Sequence, residues 1–176
     1  LNVVAPTVTV LANPAVPVCA GTNIDFTAQD ASAGTPTYQW DLNGVAIAGA
    51  TNSTYSSSTL NDQDIVGVTI TSSLSCAFPT TANDTTVVSI MPLLAPAVGV
   101  TASTNGVCFG TPITFTAAPT NGGTAPTYQW TVNGNPVGTN NDTYTDAGLN
   151  NGDIVGVLMT PNTPCPSPAN ANDTVL

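Results

Sequence analysis

Thr37-Tyr38-Gln39-Trp40-Asp41-Leu42-Asn43-Gly44 is the stretch that decides the fold. Tyr38, Trp40 and Leu42 alternate with Thr37, Gln39 and Asp41, so a β-strand would put the three apolar residues on one face. Asn43-Gly44 follows at once, and Asn-Gly suits a two-residue type I′ hairpin turn, in which both residues need positive φ. The same text returns as Thr127-Tyr128-Gln129-Trp130-Thr131-Val132-Asn133-Gly134. Tyr38 with Trp40, and Tyr128 with Trp130, are therefore the expected core of two similar sandwiches.

Other stretches return at the same offset. Cys19-Ala20-Gly21-Thr22 recurs as Cys108-Phe109-Gly110-Thr111, and Asp64-Ile65-Val66-Gly67-Val68 as Asp153-Ile154-Val155-Gly156-Val157. Asn83-Asp84-Thr85 recurs as Asn172-Asp173-Thr174. The offset is 89 or 90 residues throughout, too long for a solenoid unit and right for a tandem domain. The pattern predicts an all-β chain of two tandem sandwiches, over 1–92 and 93–176, with the last strand of the second incomplete. Strands are expected near 7–12, 23–29, 37–42, 45–48, 53–59, 65–72 and 84–91. In the second repeat they are expected near 97–102, 112–118, 126–132, 135–138, 142–146, 154–160 and 172–176. No stretch holds a 3.6-residue apolar period, so no helix is expected. Pro92 and Pro96 make the connector short and stiff.

Composition excludes whole classes of function. The 176 residues contain no Lys, Arg, His or Glu, and all ten formal charges are Asp. No side-chain salt bridge can form. Nucleic acid is excluded as a partner, because neutralising phosphates needs Lys or Arg. An anionic membrane surface would repel the chain. The longest apolar stretch, 87–100, is broken by Ser89, Pro92, Pro96 and Gly99 and falls short of the roughly 20 residues of a spanning helix, so membrane insertion is not expected. Apolar residues make up 41% and alternate, which favours folded β-structure over disorder. The chain opens at Leu1 without a signal-peptide pattern and reads as a mature or excised fragment.

The four cysteines allow three pairings. Cys19 to Cys76 and Cys108 to Cys165 both span 57 residues, and pairing within each repeat treats the copies alike. Each pair is expected to tie the two sheets together at one end. Closing such a loop would contribute about 4 kcal/mol on the chain-entropy model. A metal or redox site is disfavoured, since there is no C-x-x-C spacing and no His. Disulfides also imply an oxidising, extracytoplasmic location.

The run V-C-x-G-T…I-x-F-T-A…P-T-Y-Q-W-x-(L/V)-N-G…L-N-x-x-D-I-V…C…N-D-T resembles the PKD-like, immunoglobulin-like repeats of giant secreted surface proteins of the Bacteroidota. Those include gliding-motility-type adhesins exported by the type IX secretion system. The likeness covers nearly the whole chain, twice, and departs from true PKD domains, whose strand reads W-D-F-G-D-G where this chain has Trp40-Asp41-Leu42-Asn43-Gly44. It implies a spacer role in a cell-surface filament, in cell adhesion or gliding motility.

Enzyme chemistry lacks parts. There is no His, Lys or Glu base, and Ser and Thr have only Asp to activate them. Asp64 and Asp153 stand four residues after Leu60 and Leu149, where an Asp ties down a turn. Their rival reading is calcium: Asp62, Asp64, Asp84 and Asp153 are the candidate ligands, although neither copy has the spacing of a calcium loop. No other cofactor is expected. Asn52 and Asn141 open N-x-S/T matches, and Thr85 and Thr174 lie in D-(S/T)-x matches, which makes all four candidate glycosylation sites.

The first repeat ends in Asp84-Thr85-Thr86-Val87-Val88-Ser89-Ile90, the second at Asp173-Thr174-Val175-Leu176, and the opening segment Leu1 to Pro6 resembles Met91 to Pro96. The expected partners are therefore neighbouring repeats of the same polypeptide, or head-to-tail copies. The expected role is a structural repeat of an extracellular filament or cell-surface adhesin stalk. The alternatives are a pilus or sheath subunit that assembles by strand complementation, and a carbohydrate-binding module using loops around Asn121-Gly122-Gly123.

Overall fold

The computed structural model describes residues 3–176, so Leu1-Asn2 of the opening segment lies outside the described residues. The chain divides into two compact units, Leu1–Pro92 and Leu93–Leu176. The first contains β1 (Thr7–Asn13), β2 (Val18–Cys19), β3 (Ile24–Ala31), β4 (Thr37–Leu42), β5 (Val45–Ala46), β6 (Thr54–Ser57), β7 (Ile65–Thr71), β8 (Thr81–Val87) and β9 (Ile90–Met91). They form the sheets β1-β3-β6 and β5-β4-β7-β8, with β2 and β9 as a small parallel pair. The second contains β10 (Ala97–Ala102), β11 (Ile113–Thr120), β12 (Thr127–Val132), β13 (Asn135–Val137), β14 (Thr143–Asp146), β15 (Val155–Thr160) and β16 (Ala171–Val175). Its sheets are β10-β11-β14 and β13-β12-β15-β16. The described residues contain no helix.

Alternation builds each core. β3 buries Ile24, Phe26 and Ala28 and exposes the residues between them. Trp40 and Trp130 are fully buried, one in each unit. Phe26, Trp40 and Tyr55 pack with ring centroids 5.9–6.4 Å apart. Trp130 and Tyr144 repeat this at 5.9 Å, and Tyr144 stacks on Phe115 at 6.3 Å. Each indole N–H donates to a loop carbonyl at 2.9 Å, that of Asn52 or Asn141, so neither buried donor is left unpaired. Tyr38 and Tyr128 are half-buried at the margins of these cores.

Asn43 and Gly44 have φ of 51° and 78°, and Asn133 and Gly134 of 51° and 79°, the values of a type I′ turn. Gly67 has a separate reason. A Cβ there would stand 2.5 Å from Asp41 Oδ2 across the β4–β7 pairing, so any larger residue would have to push the Asp41 carboxylate aside.

The expected strand 84–91 is two strands. β8 begins earlier, at Thr81, and ends at Val87. Val88 then turns inward and is fully buried, its N–H on the Asp64 carbonyl and its C=O on the Gln63 N–H. β9 resumes alongside β2, a two-residue strand absent from the sequence reading.

Each unit has distinct entry and exit ends. In the first, Val4 bridges Ala77, Thr7 faces Ala31, and Thr37 faces Thr71, all at the entry end. Asn13, Ile24, Leu42 and Ile65 mark the exit end, where Ile90 pairs with Val18. In the second, Leu94 bridges Pro166 at the entry end, and Val155 faces Val175 at the exit end.

Candidate functional site

The carboxylates are held by N–H donors. Asp64 accepts the Asn43 side-chain amide at 2.9 Å and the Asn61 N–H at 2.8 Å, while Asn43 Oδ1 accepts the Ile65 N–H at 2.8 Å. Asp153 accepts Asn133 Nδ2 at 2.8 Å and the Asn150 N–H at 2.7 Å, and Asn133 Oδ1 accepts the Ile154 N–H at 3.0 Å. In each unit the turn asparagine and the corner aspartate thus form one clamp. These bonds hold both carboxyl groups below the usual carboxylate range.

Asp84 reaches from β8 across to β1, where its Oδ2 accepts the Val10 N–H at 2.8 Å. Asp173 does the same for the Val100 N–H at 2.8 Å. Both bonds join the two sheets of one unit and occupy an edge donor that would otherwise invite another strand. Asp62 accepts the Ile90 N–H at 2.8 Å. The four calcium candidates are therefore spread over different backbone contacts. Among the described residues, no three of His, Cys, Asp or Glu gather as a metal site would require.

Tyrosine–aspartate pairs are the other polar feature. Burial, together with the hydrogen bond that Tyr144 donates to Asp146 at 2.6 Å, pushes its phenol up to about 12, and the same bond holds Asp146 low. Tyr38 donates to Asp30 at 2.6 Å and is likewise raised, mainly by that hydrogen bond.

The cysteines correct the expected pairing. Cys76 and Cys108 are free and exposed, whereas Cys19 and Cys165 are disulfide-bonded. Neither Cys19 to Cys76 nor Cys108 to Cys165 is joined. The reason is strand direction. Cys19 precedes β3 and lies at the exit end beside Met91. Cys76 follows β7 and lies at the entry end, where its carbonyl accepts the Val4 N–H. β3 and β7 run the same way, since β4 reverses between them. "Before β3" and "after β7" are thus opposite ends of a sandwich about 25 Å long, at roughly 3.3 Å per residue. A disulfide tolerates Cα separations to about 7 Å. The second unit repeats this, with Cys108 before β11 and Cys165 at the entry end, bonded through its carbonyl to the Leu94 N–H.

The loop proposed for sugar is tied internally. Asn121 Nδ2 donates to the Ala95 carbonyl at 2.8 Å, the Gly122 carbonyl accepts the Asn162 N–H at 3.0 Å, and Gly122 is buried. Asn52, Asn141, Thr85 and Thr174 are exposed. A groove of about 380 Å³ lies elsewhere, at the exit end of the second unit, lined among others by Val107, Phe109, Ile113, Leu149, Val155 and Val175. Nothing in the sequence reading pointed to it.

No family model and no curated protein matches this chain. Solved structures do. The N-terminal eight immunoglobulin domains of Down Syndrome Cell Adhesion Molecule match over 97% of this chain at 14% identity and TM-score 0.56. Three N-terminal domains of the bacteriophage RB49 Highly Immunogenic Outer Capsid protein match over 97% at 14% and 0.44. The fibronectin(III)-like modules of Clostridium thermocellum CbhA match over 95% at 18% and 0.40. The chain spans 27% of the first of these chains, 58% of the second and 92% of the third. At such identity the likeness shows the fold alone: an all-β, immunoglobulin-like sandwich repeat.

Proposed function

We propose that this chain is a structural repeat of an extracellular filament or cell-surface adhesin stalk and performs no catalysis. One observation carries the reading. In each unit the polypeptide enters at one end of the sandwich and reaches the opposite end with its last strand, so repetition adds length. Such a unit serves as a spacer. The absence of any Lys, Arg, His or Glu removes the usual acid–base pairs, and the aspartates are spent on backbone amides. Ten negative charges without a side-chain cation would keep neighbouring filaments apart.

On this reading the partners are neighbouring repeats or head-to-tail copies, with no nucleic acid, no membrane insertion and no cofactor. The Tyr-Gln-Trp and cysteine motifs support the narrower assignment to secreted, gliding-motility-type surface proteins of the Bacteroidota. Location outside the cell is supported by disulfide-bonded Cys19 and Cys165.

The test is a glycan array together with sedimentation of the purified chain. A stalk segment gives no sugar binding and a monomer. Glycan retention that is lost on altering 121–123 would overturn the reading in favour of a carbohydrate-binding module.

A further inference from the structure

We propose that the Asn–Asp clamp of each unit guards its hairpin turn against spontaneous deamidation, and that the unclamped pair Asn105-Gly106 is a site where the chain deamidates. Both hold whatever the role of the chain.

Asn-Gly is the pair at which a polypeptide loses ammonia most readily, because glycine has no Cβ to shield its amide nitrogen. The glycine N–H gives its proton to hydroxide, and the nitrogen attacks the asparagine Cγ. A C–N bond forms, the Cγ–Nδ2 bond breaks, and ammonia leaves with a proton taken from water. Water then opens the cyclic imide to aspartate, or to isoaspartate, which adds a carbon to the main chain. The side-chain amide must therefore be free to swing round to the glycine nitrogen, and that N–H must be free to ionise.

Both hairpin turns deny the first condition. Asn43 is held at both amide atoms, Oδ1 by the Ile65 N–H at 2.8 Å and Nδ2 by Asp64 at 2.9 Å, and its own N–H donates to the Ile65 carbonyl at 2.8 Å. Asn133 is held in the same way by the Ile154 N–H at 3.0 Å, Asp153 at 2.8 Å and the Ile154 carbonyl at 2.8 Å. The first unit denies the second condition too. The Gly44 N–H donates to Asp41 Oδ1 at 3.2 Å, and a carboxylate there disfavours another negative charge on the nitrogen. The second unit has Thr131 at that place, so Asn133 relies on its clamp alone.

Asn105-Gly106, between β10 and β11, meets both conditions. Neither the Asn105 amide nor the Gly106 N–H has a hydrogen-bond partner among the described residues. Solvent access does not explain the difference, because Asn43, Gly44, Asn133 and Gly134 are as exposed as Asn105 and Gly106. The place of Gly106 is a surface one in both copies, since its first-unit counterpart Pro17 is exposed as well.

The test incubates the full chain in mildly alkaline buffer, digests it with pepsin and follows each pair by mass and by isoaspartate content. The same chain in urea gives each pair's rate without the fold. Asn105 should convert at close to its urea rate. Asn43 and Asn133 should be slower than in urea by about tenfold or more, the factor for a turn open to attack no more than about a tenth of the time. Asp64→Ala should speed Asn43 by about tenfold, the loss of one hydrogen bond to a charged acceptor, and leave Asn133 unchanged. Asp153→Ala should do the converse, and it keeps the test open if Asp64→Ala does not fold, as read from the fluorescence of buried Trp40. Asp41→Thr should bring Asn43 to the Asn133 rate. Asp84→Ala weakens the first unit without touching its clamp. Equal speeding of Asn43 by Asp84→Ala and Asp64→Ala would overturn the proposal, because the protection would then belong to the fold as a whole. Conversion of Asn43 and Asn133 as fast as Asn105 in the folded chain would overturn it too, as would an Asn105 as slow as Asn43.

Discussion

Replacing Asp84 with Ala puts two effects of opposite sign in competition. In a chain of net charge −10 with no side-chain cation, deleting a surface carboxylate relieves repulsion and should stabilise by a few tenths of a kcal/mol. Asp84 also accepts the Val10 N–H across the sheets at 2.8 Å, in a part-buried contact. A hydrogen bond to a charged acceptor contributes about 1.5–3 kcal/mol, and its loss strands a donor. The bond should win, for a net destabilisation of about 2 kcal/mol. In a unit of this size that lowers the midpoint by on the order of 10 °C. Asp84→Asn keeps an acceptor oxygen and should cost about 1 kcal/mol or less. The assay is urea unfolding followed by Trp fluorescence in a Trp130→Phe background, so that Trp40 reports the first unit alone. Asp173→Ala, read through Trp130 in a Trp40→Phe background, should give a similar loss, since it holds Val100 in the same way. A neutral or stabilising Asp84→Ala, or an Asn variant as costly as the Ala variant, would refute the reasoning.

Acid should destabilise the chain below about pH 4. Asp64, Asp146 and Asp153 have lowered folded-state pKa values, so their contribution is present above the unfolded value of about 3.9 and is lost as pH falls through the lower folded one. Circular dichroism against pH would show it, and a midpoint flat from pH 6 to 2 would contradict it. Alkali acts through Tyr144: its folded pKa of about 12 exceeds the unfolded value of about 10, so stability present below pH 10 is lost between them, and Tyr144→Phe should remove that part of the loss. Added sodium chloride should raise the thermal midpoint, because the chain holds like charges to screen and no ion pairs to weaken. In the folded protein two thiols per chain, Cys76 and Cys108, should react with a thiol reagent, and a count of none would contradict the free cysteines.

The sandwich was legible because its signals are local. Alternation at Tyr38, Trp40 and Leu42 followed by Asn43-Gly44 specifies a strand and its turn within eight residues, and the structure gives β4 and positive φ at both turn residues. The break at Val88 was hidden, because a run such as Val87-Val88-Ser89-Ile90 reads as continuous strand. Only the partners on β2 and at Gln63 show that Val88 leaves the ladder. The clamp between Asn43 and Asp64 spans 21 residues and needs the β4–β7 register to be seen. Cysteine pairing failed for a related reason. Equal spacing within the two copies shows that they are equivalent, and it says nothing about which end of a strand each thiol occupies. Strand direction does say it, and it puts Cys19 and Cys76 at opposite ends of one sandwich.

Comparison of the copies separates what the fold requires from what a neighbouring segment supplies. The clamp, the sheet-joining aspartate, the indole bond and the glycine opposite β4 or β12 appear in both units with distances that agree closely. These devices let acidic side chains stabilise β-structure without a cation: Asp64, Asp84, Asp153 and Asp173 each accept a backbone N–H. The exit end is where the copies differ in burial. Val18 and Val107 have the same side chain and the same place before a first-sheet strand, yet one is 8% and the other 39% exposed. Local sequence cannot account for that, since Val-Cys and Gly-Thr are shared. In the first unit Val88 to Met91 pair beside Val18 and cover it. Five hydrogen bonds made by the four residues Val88 to Met91 close that end of the sandwich.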